Sequence, residues 1–376
     1  MIARASPRIF ISAGEPSGDL HGAGVVRALR ARHPDATIEA LGGPRMAEAG
    51  ATIRYPIEGL SAFGLVEVVT KLGAHLRLLH ALRDDFRAGR YDLVILIDYP
   101  GFHLRVAEAA RQAGTKVLYY IAPQLWAWRP GRARRFAAAV DRLAVVLPFE
   151  QRFFGDLGLR SEYVGHPLVD RPSWPARDAA RARLGIAPES KVLGIFPGSR
   201  SQEVGRLWVP FRDAALALKA EGRCDRILVA GTVDGEYPGP GPIEIIRDDP
   251  LSLFAVADAA LVKSGTTTLE AALADIPMVV AYKVHPFTWF MFQRLRTVQW
   301  VSLVNLVAER EVVPEMLQDR AEAGPLADAL RPLLDARDPR TIAQRDGLAL
   351  VRRRLGAPGA TTRVVALADE LLGTRG

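Results

Sequence analysis

The chain has 376 residues, enough to bury two ordinary cores, so two domains are expected. Hydrophobic residues at 49% and charged residues at 24% describe a globular chain and exclude a disordered one, and no apolar run is long enough for a transmembrane helix. A single cysteine, Cys224, excludes an intramolecular disulfide and is expected as a buried small residue; 49 Lys+Arg against 42 Asp+Glu give +7, which suits an anionic partner (nucleic acid, phosphorylated substrate or acidic lipid surface) without choosing among them. The chain runs early into a strand at Arg8–Ile11, and no signal peptide is expected.

Strand and helix patterns alternate almost throughout, which predicts parallel sheets with helices on both faces. Strands are expected at Arg8–Ser12, Thr37–Leu41, Leu93–Ile97, Val117–Ile121 and Leu143–Leu147, forming a first domain over residues 1–168. Residues 169–190, rich in proline and charge, read as a connection. A second series follows at Val192–Phe196, Arg226–Ala230, Ile243–Ile246, Ala259–Val262 and Met278–Tyr282, giving a second domain over 191–350. The helical tail over 351–376 is expected to return to the first domain. Two α/β halves of this kind would face a cleft, a common place for a ligand.

After the first strand comes Gly14-Glu15-Pro16-Ser17-Gly18-Asp19. Its glycines lack the G-x-G-x-x-G spacing of a dinucleotide loop, and Glu15 and Asp19 would repel a pyrophosphate. The loop therefore suits recognition of hydroxyls on the acceptor side, although capping of the next helix explains Ser17 and Asp19 as well. Asp98 ends the apolar strand Leu93–Ile97; partial desolvation there would raise its pKa and make it a general base, with His103 as a competitor. Between these, Phe63, Leu65, Val66, Val68, Val69, Leu72 and Leu76 form an apolar series of largely helical spacing, with Lys71, Arg77, Arg83 and Arg87 around it. Such a segment packs in a core, lies on an anionic membrane or binds acyl chains. Pro286–Phe292 is a second aromatic stretch of interfacial character.

In the second half, the strand Val192–Phe196 leads into Pro197-Gly198-Ser199-Arg200, where Ser199 caps and Arg200 offers a planar fork of donors. The strand Ala259–Val262 leads into Lys263-Ser264-Gly265-Thr266-Thr267-Thr268-Leu269-Glu270. Gly265 permits close backbone approach, Ser264, Thr266 and Thr267 offer hydroxyls beside a helix N-terminus that favours phosphate, and Glu270 lies one turn further, placed for a sugar diol. A nucleotide diphosphate and its ribose fit this loop pair at the carboxyl edge of a parallel sheet.

These segments together resemble lipid-A-disaccharide synthase, an inverting glycosyltransferase family. The resemblance runs nearly end to end through Gly14–Asp19, Gly43-Pro44-Arg45-Met46, Phe63–Val68, Ala122–Arg129, Val164-Gly165-His166-Pro167, Pro197–Arg200, Ser264–Glu270, Pro277–Val280 and Val301–Leu306. It implies a GT-B architecture: two Rossmann-like parallel-sheet domains facing a cleft, with the C-terminal helix crossing back to the first. It also implies transfer from UDP-2,3-diacylglucosamine to 2,3-diacylglucosamine 1-phosphate (lipid X), by a peripheral protein of the cytoplasmic face of the inner membrane, with no cofactor. Asp98 is then the expected base, with Glu15 or Asp19 as alternatives. Ser199, Arg200, Ser264, Gly265, Thr266, Thr267, Glu270 and Asn305 are expected on the UDP-sugar side. With no D-x-D motif or His/Cys ligand spacing, metal-independent transfer is expected. The chain departs from the family pattern at Gly101, His103 and Val304. A UDP-sugar 2-epimerase on the same architecture and a non-catalytic nucleotide-sugar or lipid-binding protein are the competing readings. Nucleic acid is not an expected partner, because the basic residues are dispersed, and homo-oligomer formation is left open.

Overall fold

The computed structural model describes residues 6–58, 65–128, 130–171 and 174–373. The chain divides into two compact units, Met1–Asp170 with Ala357–Gly376, and Arg171–Gly356.

The first unit is built on a seven-stranded sheet of β1 (Arg8–Ala13), β2 (Thr37–Gly42), β3 (Thr52–Pro56), β4 (Leu93–Ile97), β5 (Lys116–Tyr120), β6 (Arg142–Val145) and β7 (Ser161–Tyr163). Every pairing is parallel, in the order β3-β2-β1-β4-β5-β6-β7. Helices cover both faces of such a sheet, so its central strands are apolar without alternation: Leu93-Val94-Ile95-Leu96-Ile97 is buried at every position. The winding reverses between β1 and β4. Connections leave these two neighbours in opposite directions, and a crevice opens at their carboxyl ends.

The second unit repeats the plan with β8 (Val192–Phe196), β9 (Arg226–Ala230), β10 (Glu244–Ile246), β11 (Ala259–Lys263), β12 (Met278–Tyr282) and β13 (Glu315–Leu317). The order is β10-β9-β8-β11-β12-β13, again all parallel, with the reversal between β8 and β11. Leu193, Ile195, Trp208, Phe211, Leu261 and Val279 centre its core, and Cys224 is buried in the same cluster. Burial pushes the Cys224 thiol up to about 11.

Three short strands carry no strand pattern in their sequence. β3, β7 and β13 sit at sheet edges, and their half-buried sequences (TIRYP, SEY, EML) carry too few apolar residues for a pattern. The stretch 169–190, read as a connection, holds a helix of the second unit, Arg177–Arg183, which buries Ala180 and Arg181 and packs on the helix Leu251–Val256.

The last two helices go to different units. Pro339–Leu355 stays with the second: Gln344 bonds both the N–H and the carbonyl of Met278, and Arg345 and Arg352 pair with Asp275. Ala360–Gly373 packs on the helix Pro16–Arg32 of the first. There His33 Nε2 meets Asp369 at 2.6 Å, Arg142 pairs with Glu370 at 2.6 Å, and Asp170 accepts from the N–H of Gly359 at 2.6 Å. Among the described residues, no helix is long and apolar enough to cross a membrane.

Candidate active site

Ala13 and Ile97 are register partners on β1 and β4, so the chain leaves both strands at one level, through Gly14 and Asp98. Gly14, Glu15, Ser17, Gly18, Ile97, Asp98, Tyr99 and Pro100 line a pocket at this point. Gly14 has to be glycine: a Cβ there would lie 2.2 Å from the Tyr99 ring.

The turn after β4 is strained. Asp98 and Tyr99 are consecutive left-handed residues, with φ of 50° and 55°. Each costs about 1–2 kcal/mol for a residue bearing a Cβ, so the surroundings have to hold them. The Asp98 N–H donates to the Tyr120 carbonyl at 3.0 Å. The Asp98 carbonyl accepts from the Tyr119 hydroxyl at 2.5 Å and from His103 Nδ1 at 2.6 Å. His103 is wholly buried, and its Nε2 lies 2.7 Å from Ser12 Oγ. A carbonyl can only accept, so Nδ1 carries the proton and Nε2 accepts from Ser12. Burial depresses the His103 pKa to about 3 and keeps the ring neutral. His103 is therefore not the competing base; it holds the backbone of Asp98.

The Asp98 residue is exposed by surface area, while its carboxyl is crowded by the pocket walls. That crowding and the negative charge of Glu15 push the carboxyl up to about 6, against a hydrogen bond from the Tyr99 N–H that favours ionisation. Desolvation by those walls is the larger cause. A group of this kind is ionised at neutral pH and still basic enough to take a proton. Nearby, the buried carboxyl of Glu150 accepts from Trp126 Nε1 at 2.9 Å and from the N–H groups of Val146 and Leu147; burial raises it to about 7. This fixes the Trp126 segment.

Asp19 does something other than expected. It is buried, and its carboxylate accepts from the N–H groups of Gly43, Arg45 and Met46 at 2.8, 3.1 and 3.2 Å. It caps the short helix Pro44–Glu48 and is spent there, which removes it from the possible bases.

In the second unit Phe196 and Val262 are register partners, so the loops after β8 and β11 also leave at one level, at the winding reversal. Gly198 has φ 117°, and a Cβ on it would meet Glu203 at 2.6 Å. Glu203 accepts from the Ser199 N–H at 3.2 Å and pairs with Lys263 at 2.7 Å, tying the two loops together. Nothing local in the sequence marks this pair, whose members lie 60 positions apart. Ser199 and Arg200 are exposed at the start of the helix Ser201–Ala220. Gly265 has φ 153° and precedes the helix Thr266–Leu273, whose first N–H groups have no partner within the helix.

Two expected ligands on this side are corrected. Ser264 is buried, its N–H donates to the Ala281 carbonyl and its hydroxyl to the Val301 carbonyl at 3.0 Å, so neither donor is left for a phosphate. Asn305 is wholly buried and saturated: its amide donates to the Val313 carbonyl and Glu315, and accepts from the N–H groups of Val312 and Val313. It fastens the segment before β13. Glu270 is half-buried, pairs with Arg171 at 2.7 Å and is raised in pKa by burial.

Of the apolar series, Phe63 lies outside the described residues, as do the side chains of Leu65, Val66, Val68, Val69 and Leu72. The helix Leu65–Arg87 buries Leu78, Leu79, Leu82 and Phe86 and leaves Leu76 exposed.

A model of the family described as lipid-A-disaccharide synthetase matches residues 9–357. The chain belongs to the lipid-A-disaccharide synthase family. A lipid-A-disaccharide synthase of Geobacter sulfurreducens is 39% identical over 392 aligned residues, covering 99% of each chain. One of Pseudomonas aeruginosa is 41% identical, covering 87% of this chain and 89% of its own. The fold is also that of the Neisseria meningitidis UDP-GlcNAc 2-epimerase, at a TM-score of 0.66 and 13% identity, covering 96% of this chain and 100% of that one. The likeness to the epimerase is one of fold alone. Full-length identity near 40% to the synthases decides the activity in favour of a glycosyltransferase of lipid A biosynthesis.

Proposed function

We propose that the donor is UDP-2,3-diacylglucosamine and the acceptor 2,3-diacylglucosamine 1-phosphate (lipid X), with Asp98 as the general base. The Asp98 carboxylate takes the proton of the acceptor 6-hydroxyl as that oxygen attacks the donor anomeric carbon. The bond from that carbon to the UDP oxygen breaks in the same displacement, which inverts the centre and needs no covalent enzyme intermediate. Glu15 orients acceptor hydroxyls beside Asp98. On the donor side Arg200, Ser199 and the backbone N–H groups of Gly265, Thr266 and Thr267 receive the diphosphate and its developing charge, and Glu270, held by Arg171, receives the ribose. A preorganised donor of this kind is worth about 3 kcal/mol in the transition state. Charge compensation by Arg200 and the helix start makes the transfer metal-independent. The apolar segment Phe63–Leu76 takes the acyl chains, and the protein sits on the anionic cytoplasmic face of the inner membrane.

The observation carrying this reading is the crowded Asp98 carboxyl beside Glu15, held at the carboxyl end of β4 by a neutral buried histidine. The test is mass spectrometry of products from detergent-dispersed donor and lipid X, with and without a chelator. Wild type is expected to form the β-1,6-linked disaccharide 1-phosphate and UDP in both. Asp98→Asn is expected to lose turnover at least 100-fold while still binding UDP. Near-normal turnover of Asp98→Asn refutes the base; loss with chelator, restored by magnesium, refutes metal-free transfer.

A further inference from the structure

The helix Pro286–Leu295 of the second unit, with sequence PFTWFMFQRL, contains no buried residue. Phe287 is 67% exposed, Phe290 48%, Met291 39% and Leu295 44%. Their spacing of i, i+3, i+4 and i+8 puts them on one face, and Arg294 joins that face with its guanidinium 4.7 Å from the centre of the Phe290 ring. The other side is aromatic too, with Trp289 stacked on Phe292 at 5.5 Å. Soluble surfaces rarely keep so much contiguous apolar area without a use.

Charge selects the occupant. From Lys283 to Ala308 the sequence contains no Asp or Glu, while Arg294 and Arg296 follow the aromatic run. Neither guanidinium makes an ion pair among the described residues. A protein groove would read one stripe and leave the opposite side polar. Here aromatic residues occur around the helix and cations gather at its end, the distribution of a segment that sinks into an interface with its charges at the phosphate level.

We propose that Pro286–Leu295 is a membrane-insertion helix, docking the nucleotide-binding unit onto an anionic bilayer independently of the Phe63–Leu76 segment. The inference rests on the peripheral-membrane reading above and deepens it by giving the second unit its own contact. Phe287, Phe290 and Met291 enter the acyl boundary, and Arg294 and Arg296 meet lipid phosphates. Each cation near such a surface strengthens partition about fivefold.

The experiment is sedimentation of the purified full chain with phosphatidylcholine vesicles containing about a third phosphatidylglycerol, without substrates. The variants are Phe287→Ser/Phe290→Ser/Met291→Ser and Arg294→Gln/Arg296→Gln, with thermal melting as the check of folding. The triple variant is expected to weaken partition at least tenfold and the double variant about 25-fold, the latter only on anionic vesicles, with transfer between detergent-dispersed substrates within twofold of wild type. If wild type binds the vesicles and the triple variant binds equally, the helix is not the contact, while the peripheral reading stands. If wild type does not bind either, that reading falls and the inference with it. A triple variant that instead changes oligomeric state, or raises KM for the acylated donor in detergent, overturns the proposal in favour of self-association or substrate contact.

Discussion

Replacing Glu15 by glutamine changes the acidity of Asp98 without touching Asp98. The Asp98 carboxyl stands at about 6 against an ordinary 3.8, with crowding as the first cause and Glu15 as the second. Removing the second cause leaves desolvation opposed only by the Tyr99 hydrogen bond, so the acid limb moves down, on the order of one unit for a neighbouring charge. A base must be ionised to act, and below its pKa the rate falls about tenfold per pH unit. At pH 5 about a tenth of the wild-type base is ionised, and up to about half of it in Glu15→Gln. Relative to its own plateau, the variant is therefore expected to be more active than wild type at pH 5, by up to about fivefold. The assay is kcat/KM from pH 4.5 to 8 in detergent, each profile normalised to its plateau so that a lost hydroxyl contact does not enter. Raised salt is expected to shrink the difference, because the pocket is open on one side. An acid limb that stays in place or moves upward in Glu15→Gln refutes the coupling, and a wild-type profile with no limb near pH 6 refutes Asp98 as base.

Tyr119→Phe removes one of two side-chain donors to the Asp98 carbonyl; a loss of about 1 kcal/mol of restraint predicts kcat about fivefold lower with little change in KM, and a KM effect alone counts against a positioning role. Asn305→Ala breaks four buried hydrogen bonds and is expected to cost about 2–4 kcal/mol in chemical denaturation while UDP affinity of the folded protein is unchanged; weaker UDP binding at full stability restores Asn305 as a ligand. Arg90 leads the causes that hold the Glu39 carboxyl near 2, with Tyr91 and Arg54 adding to it. Its folded pKa is depressed, so its stabilisation is complete above about 4.5 and is lost as pH falls towards 2. Glu39→Gln is expected to cost on the order of 1–2 kcal/mol at pH 7, allowing for solvent screening of Arg90, and the gap to wild type to narrow between pH 5 and 3. A gap constant across that range refutes the assignment.

Apolar runs and small-residue turns are local, and they made much of this protein legible in sequence. The strand β4, the loop Gly14–Asp19, the loop Pro197–Arg200 and the run Ser264–Glu270 could all be read from one stretch at a time, because a buried parallel strand needs continuous apolar residues and a tight turn needs glycine. What each polar side chain does was decided by tertiary structure. Asp19 and Asn305 look like ligands in sequence; the folded chain brings N–H groups 24 to 27 positions away onto Asp19, and N–H and carbonyl groups onto Asn305, which use them up. Conversely, Glu203 and Lys263 gain a joint role only because β8 and β11 lie side by side. His103 becomes a support for Asp98 only because Ser12, 91 positions earlier, reaches its far nitrogen. A buried polar atom has to find a partner wherever the fold supplies one, and for Asp19 and His103 that partner comes from a distant part of the chain, beyond the reach of any local pattern.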